Sequence, residues 1–579
     1  MSDRDLFCRR VFKLPIQHQL SHPLSEVVAS DLELNGEITL YDHVFEPKTI
    51  WAKQIVPLWD KQFSSDVHFL GDSQEVTKRF MTKNKHDYIV PCEKLEKNWA
   101  ALKNDPKFME SYGYIEWEIL ESFNHSSSML QSIAIANLLS PLMSFIVPLL
   151  FFLAPFVLLR IQGIPISLTK YGEVLKHLAQ HHFIGKALGS FEQFSVDKLI
   201  YMLAMFFLYG MQMYQNTIQC LRFYTNMQKI NEELLEWKAF VDYEIGSMNW
   251  FLENTKTLLT YASFRETLRT HVSRLENLRS ELSPITPFVC SIFKTVEVGY
   301  MLKVYYQMHI SAAYEESILF SMGWEGYYQQ MEGLAAQIQA NKMAFAQLTG
   351  NEYVSGQTYP GLEDAVRNDV SLDAFMVITG PNASGKTTYL KSTALTILFS
   401  QQFGAGFYRA CTLIPYQHIH SYLNIPDTSA RDSLFEAESR RCKDILDSIH
   451  TNANDRHFCI LDELYSGTNP SEATKSAYAF LEYLRSFSNV HLILTTHYVS
   501  ICDKWEEEVE KVEKVEKVAI QNFHMKVVHL ENKYEPTFEI QKGVSRVQGA
   551  IQVLENMDYP DEMIHLIREL TEEETAQKK

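Results

Sequence analysis

The chain has 579 residues, with 53 basic and 71 acidic side chains and a formal balance of −18. Hydrophobic residues make up 46% and charged residues 21%, which excludes wholesale disorder and a collagen-like chain. The acidity excludes a grip on nucleic acid by bulk positive charge and leaves only local basic faces for that purpose. Eight scattered cysteines with no C-x-x-C pair read as free thiols in a reducing, intracellular compartment. The start, MSDRDLFCRRVFKLP, is too polar for a secretory apolar core, so no cleaved signal is expected.

Residues 1–128 are a mixed, α-rich region punctuated by Pro15, Pro23, Pro47, Pro57 and Pro91, with no catalytic motif and no fold legible from pattern. Residues 129–220 hold two apolar stretches. From Met129 to Leu159 there are 31 residues without a charge, whereas a bilayer core of about 30 Å takes about 20 helical residues. Pro141, Pro148 and Pro155 recur within it and are expected to kink a helix. Leu199–Met213 is shorter. The pair reads as a transmembrane hairpin, or else as a buried helical hairpin of a soluble protein. Arg160, Lys170, Lys176, Lys186 and Lys198 lie between the stretches. The positive-inside rule puts them in the cytosol, whereas a two-span hairpin with a cytosolic C-terminal domain needs them outside. Charge therefore does not fix the orientation.

Residues 221–345 place apolar side chains three and four apart, the pattern of long amphipathic helices. Pro284 and Pro287 mark a break between two of them. The region is either a plain bundle or a lever that transmits motion. Residues 346–560 alternate strand-like runs, FMVIT (375–379), HFCIL (457–461) and HLILTT (491–496), with helical patterns. That is the signature of a mostly parallel α/β sheet. The repeat VEKVEKVEKV (509–518) reads as a solvated charged insertion, and 561–579 as a charged tail.

The chemistry lies in the α/β part. Strand 375–379 runs into Gly380, Pro381, Asn382, Ala383, Ser384, Gly385, Lys386, Thr387 and Thr388, which fits G-x-x-x-x-G-K-[ST]. Such a loop wraps backbone N–H groups around phosphates, and the helix behind it offers its positive end. Lys386 is expected to reach the β- and γ-phosphates, and Thr387 to hold Mg²⁺. The run HFCILDE ends a core strand in two carboxylates, at the edge where open α/β sheets bind ligands. Asp462 is expected to join Thr387 at the Mg²⁺, and Glu463 to polarise the attacking water. His497, at the end of HLILTTH, is placed to sense the γ-phosphate.

GPNASGKTTYLKS resembles the P-loop of the MutS family of DNA mismatch-repair ATPases, DELYSGTNPSEA resembles that family's D-E-[LI]-x-x-G-T-[NS] segment, and LTTHY resembles its T-T-H strand. Arg367-Asn368-Asp369 resembles its P-N-D, and Phe523–Ile564 its closing strands, G-x-S turn and last helices. The resemblance covers about 210 residues with five motifs in order. It implies a P-loop NTPase fold, ATP and Mg²⁺ as ligands, and a homodimer or a pair with a related subunit. Each site would be completed by the partner's signature loop, here Ser433, Phe435 and Glu438. Residues 221–345 would then resemble the family's lever and clamp helices.

There are departures. Arg431-Asp432 stands where the family carries a glycine-rich run, the F-x-E mismatch wedge is not recognisable, and Phe45-Glu46 does not restore it. The apolar stretches are foreign to the soluble repair proteins. Residues 351–579 carry 22 basic and 34 acidic side chains, and SRRCK (439–443) is the one compact basic cluster there, read as a helix face. Two readings follow. One is a dimeric MutS-like ATPase that couples ATP turnover to movement of helical arms on DNA, mismatched DNA included. The other is a membrane-anchored mechanochemical ATPase, its ATPase domain in the cytosol, acting on a membrane or protein partner without DNA. A transporter-type ATPase is disfavoured because no L-S-G-G-Q precedes 457–463.

Overall fold

The computed structural model describes residues 11–36, 38–83, 88–161, 163, 167, 171–173, 196–289, 292–423, 425, 433–511, 518–530, 533–547, 551, 554–555, 557 and 559–577. Most of the connector bearing Lys170, Lys176 and Lys186, the Arg431-Asp432 departure and the centre of the VEK repeat lie outside them. Contacts divide the chain into two units. The first takes residues 1–87, 248–271 and 319–579, and the second takes 88–247 and 272–318.

The first unit is organised by a six-stranded sheet. Its strands are β1 (Phe375–Thr379), β2 (His418–Tyr422), β3 (His457–Asp462), β4 (Val490–Thr495), β5 (Ile520–Leu530) and β6 (Lys533–Lys542). The spatial order is β6-β5-β1-β4-β3-β2, parallel except for the antiparallel edge strand β6. Strands buried on both faces need unbroken apolar runs, which is why FMVIT and VHLILT do not alternate. Asp462 is level with Thr495, and Thr495 with Ile378, so the carboxyl ends of β3, β4 and β1 meet at one edge.

Helices α1 (Lys386–Phe403), α2 (Leu434–Thr451), α3 (Pro470–Leu484) and α4 (Val499–Lys511) pack against this sheet. Cys442, Ile445, Leu481 and Trp505 of α2, α3 and α4 share one core with Val377, Leu461 and Leu494. The helix α1 is buried almost all round from Tyr389 to Phe403. A helix without a wet face needs a second layer over it. Residues 11–83 supply that layer. Tyr41 donates to Gln402 Oε1 (3.0 Å), Gln402 donates to the Trp59 carbonyl (2.7 Å), and Gln74 donates to the Gly404 carbonyl (2.8 Å). The C-terminal half of the Ala312–Gln339 helix closes on the same layer. A Cβ at Gly333 would meet the Phe45 carbonyl oxygen at 1.8 Å. A smaller mixed sheet of five short strands, between Ala344 and Thr412, flanks α1.

The second unit is helical. The Val196–Asn254 helix has 59 residues, about 88 Å at 1.5 Å per residue, and its last turns enter the first unit's share of the chain. Met227, Ile230, Leu234, Trp237 and Val241 form its buried stripe, with the three- and four-residue spacing expected from sequence. The Ser127–Ile161 helix runs 35 residues through Pro141, Pro148 and Pro155 without interruption. Among the described residues one segment, Ser127–Ile146, is long and apolar enough to cross a membrane by length and composition.

Candidate functional site

The loop between β1 and α1 is shaped by backbone that few residues tolerate. Gly380 (φ +156°), Gly385 (φ +93°) and Ala383 (φ +59°) let it curl back over the start of α1. A Cβ at Gly385 would come within 3.0 Å of the Phe538 ring, so only glycine fits between loop and β6. Lys386 is buried and folds back along the loop, donating to the carbonyls of Gly380 (3.0 Å) and Pro381 (3.2 Å). Burial pushes its ammonium pKa down, opposed by the carboxylates of Glu463 and Asp462.

The strand ends bring the other expected residues together. Thr387 donates its hydroxyl to Asp462 Oδ2 (3.0 Å), and the hydroxyl of Thr495 donates to Asp462 Oδ1. His497 Nε2 lies 2.9 Å from Glu463 Oε1 and 3.3 Å from Lys386 Nζ. An ammonium only donates, so one imidazole nitrogen cannot donate to Glu463 and also accept from Lys386. The shorter contact decides: His497 donates to Glu463, and Lys386 bonds its own loop. That hydrogen bond from His497 holds the Glu463 carboxyl below the ordinary range, against the opposing effect of burial. Glu463 is therefore ionised at neutral pH. Its backbone is left-handed (φ +49°), as is that of Tyr465 (φ +58°) and Phe538 (φ +57°). With Ala383, these are four of the seven non-glycine residues with positive φ among the described residues, so backbone strain gathers at this edge.

Beside the P-loop lies a cleft of about 430 Å³. Gly385, Thr388 and Tyr389 line one side, Val366 and Asn368 another, and Met525 with Phe538 a third. Asn368 ties its far wall, donating to the Phe538 carbonyl and accepting from the Ile540 N–H, both at 2.9 Å. Asp369 is spent on structure. It accepts from Tyr353 (2.7 Å), the Gly356 N–H (2.8 Å) and Ser355 (3.1 Å).

The three signature residues do not act alike. Ser433 caps α2 and exchanges reciprocal bonds with Glu436, which leaves it exposed at the helix start. Phe435 packs on Tyr465, their ring centroids 5.6 Å apart. Glu438 is turned into its own domain, 2% exposed, so it does not reach outward to a partner's nucleotide. Its carboxylate accepts from the Ser466 N–H and hydroxyl (both 2.9 Å) and from the Gly467 N–H (3.2 Å), on the loop that follows Glu463. Two residues of this site are new. Thr495 orients Asp462, and Tyr422 accepts from the Tyr465 N–H (3.0 Å). The strand register foreshadows the first, and nothing local foreshadows the second.

Residues 376–574 match the family model of MutS domain V. Human MutS protein homolog 4 is 29% identical over 214 residues, 35% of this chain and 21% of that protein. A DNA mismatch repair protein MutS of Oceanobacillus iheyensis is 27% identical over 213 residues, 36% of this chain and 23% of that protein. An Endonuclease MutS2 of Thermus thermophilus is 28% identical over 255 residues, 42% of this chain and 31% of that protein. The chain thus spans about a fifth to a third of these relatives. The matched part holds the P-loop, the acidic strand end and the histidine strand just described. Residues 376–574 are thus similar to the ATPase-type domain of the MutS family.

Proposed function

We propose that the protein binds and hydrolyses ATP with Mg²⁺, pairs with a second copy of itself, and couples turnover to movement of its long helices on DNA. The convergence of Lys386, Thr387, Asp462, Glu463 and His497 at one sheet edge carries this reading. The P-loop N–H groups and Lys386 bind and orient the phosphates, and Lys386 exchanges its bonds to Gly380 and Pro381 for phosphate oxygens. Mg²⁺ suits the hard oxygen donors of Thr387 and Asp462, which already lie 3.0 Å apart, and when bound it neutralises phosphate charge. Glu463, ionised, takes a proton from the attacking water, and His497 fixes its carboxylate. The cleft beside Gly385 takes the base.

The signature serine serves the partner's site, with Ser433 at the exposed start of α2. Glu438 is a positioning residue. It ties α2 to the loop after Glu463, so the helix offered to one site is bonded to the catalytic edge of the other. The SRRCK cluster is a weak candidate for DNA contact, because Arg441 donates to the Ser421 carbonyl and Lys443 pairs with Asp447.

The test is ATP hydrolysis and DNA binding by the full chain, on matched and mismatched duplexes at a stated salt concentration, with and without ATP. ATP-dependent retention on DNA is the expected result. Hydrolysis with no DNA retention at low salt would remove DNA from the reading and leave the ATPase.

A further inference from the structure

We propose that the paired helices of the second unit form a hairpin that enters a lipid bilayer. The observation that carries this is an inverted surface. On the first helix Leu142, Phe145, Leu150, Leu153 and Val157 are all at least half exposed. On the second, the consecutive residues Phe206, Phe207 and Leu208 are 62, 66 and 57% exposed. Three successive residues sweep about 200° of a helix, so more than half of that helix's circumference is apolar and open. A core helix buries such side chains. The Ser127–Ile146 segment is 11% buried.

Polar groups at 137–144 and 209–220, where the two helices meet at and beyond one end of this band, point the other way. Tyr209 donates to the Ser144 carbonyl (2.9 Å), Asn216 donates to the Ser144 hydroxyl, and Cys220 donates to the Leu138 carbonyl (3.3 Å). Ser140 and Ser144 donate back to carbonyls of their own helix, those of Asn137 and Ser140, both at 2.9 Å. Polar groups satisfied between helices and apolar groups facing out are what hydrocarbon requires and water penalises. The pairing sets Ser144 against Tyr209 and Asn216, and Leu138 against Cys220, so the helices run antiparallel. From Ser144 to Ile161, and from Val196 to Met213, each is about 27 Å long, close to the roughly 30 Å of a hydrocarbon core.

The width of the apolar surface selects lipid as the occupant, because a docked protein covers one face of a helix whereas hydrocarbon surrounds it. The band is closed by Arg160, and residues 160–198 carry five basic and three acidic side chains in a chain of net −18. A basic excess in the connecting sequence complements anionic head groups.

The experiment uses the full chain and vesicles of phosphatidylcholine with phosphatidylglycerol. The expected result is that the protein floats with the vesicles and stays with them through an alkaline carbonate wash. The double variant Leu153→Lys/Phe207→Lys should float at least about tenfold less, because lysine at membrane depth is expensive. Its cooperative thermal melt should match the parent's, which shows that it folds. Three results would overturn the proposal: parent protein left in the vesicle-free fraction as a monomer, parent protein left there as an assembly that the lysines dissolve, or a variant that floats as well as the parent.

Discussion

The P-loop edge of the sheet and the exposed hairpin are built on opposite rules. At the edge, charged groups are drawn inward and paired: Lys386 is buried against its loop, and Asp462 and Glu463 are bonded to Thr387, Thr495 and His497. In the hairpin, phenylalanine and leucine face out while serine and asparagine face in. A whole-chain mean hydropathy of −0.16 averages these two environments and describes neither. Where polar groups go reports what surrounds an element more faithfully than how many it has.

This contrast can be broken by substitution, and the largest effect belongs to Lys386. Lys386→Ala should lower ATP affinity at least about a hundredfold, the scale of a disrupted buried charge contact, measured by nucleotide titration. The same variant should float with vesicles like the parent. Next comes Glu463→Gln, which should keep ATP affinity and slow hydrolysis by about a hundred- to ten-thousandfold, the range for loss of a general base. A Gln variant with parental turnover would exclude Glu463 from that role.

Glu438→Ala tests whether inward charge at the edge is structural or communicative. It leaves the N–H groups of Ser466 and Gly467 without their acceptor and should cost about 3 kcal/mol in a urea titration. Glu438→Gln keeps one acceptor oxygen and should cost about 1 kcal/mol. If Glu438 positions the catalytic loop, the Gln variant lowers the hydrolysis rate while leaving ATP affinity unchanged.

Acid should sharpen the contrast further, because the first unit holds half-buried neutral histidines. Burial, with His457 and His418 nearby, brings His420 down to about 3, and burial with the Arg456 charge brings His491 down to about 4. Their folded pKa values lie below the unfolded value near 6.5, so the unfolded chain binds more protons in between. Stability is then full above about pH 6.5 and falls toward pH 4, by about 2 kcal/mol per histidine at pH 5. Denaturant titrations at pH 7 and pH 5 measure this, and His420→Asn should flatten the difference. The smallest effect concerns Ser433. Ser433→Ala should cost about 1 kcal/mol through the lost cap, and Ser433→Gly only a few tenths. If the serine serves a partner's site, both variants lose hydrolysis equally.

Much of the edge was legible in the sequence because its chemistry is local. Gly380 to Thr388 is one loop, and the strand HFCILD delivers its carboxylates by register. Glu438 was misread for a physical reason. The resemblance set it on one signature loop with Ser433, but the capping box starts α2 at Leu434. Glu438 then falls in line with Cys442, Ile445 and Ile449, the buried face of that helix. The cover over α1 was illegible for the opposite reason. Gln401 and Gln402 look like a wet helix end, yet both are buried and bonded to Ser64 and Trp59 across more than 330 residues of sequence. No local pattern encodes a partner that distant.

That distance has a consequence for how the protein is made. Residues 11–83 leave the ribosome well before the helix they cover, which is translated some 300 residues later. At about 5–20 residues per second, Trp51, Phe45 and their neighbours wait roughly 15–60 s for their partner. The apolar hairpin is translated during that interval. A fragment beginning at residue 346 would avoid the wait only by leaving Leu390, Ile397 and Phe403 uncovered. The P-loop domain is therefore assembled from segments some 300 residues apart, and supplying residues 11–83 as a separate polypeptide should rescue the solubility of such a fragment.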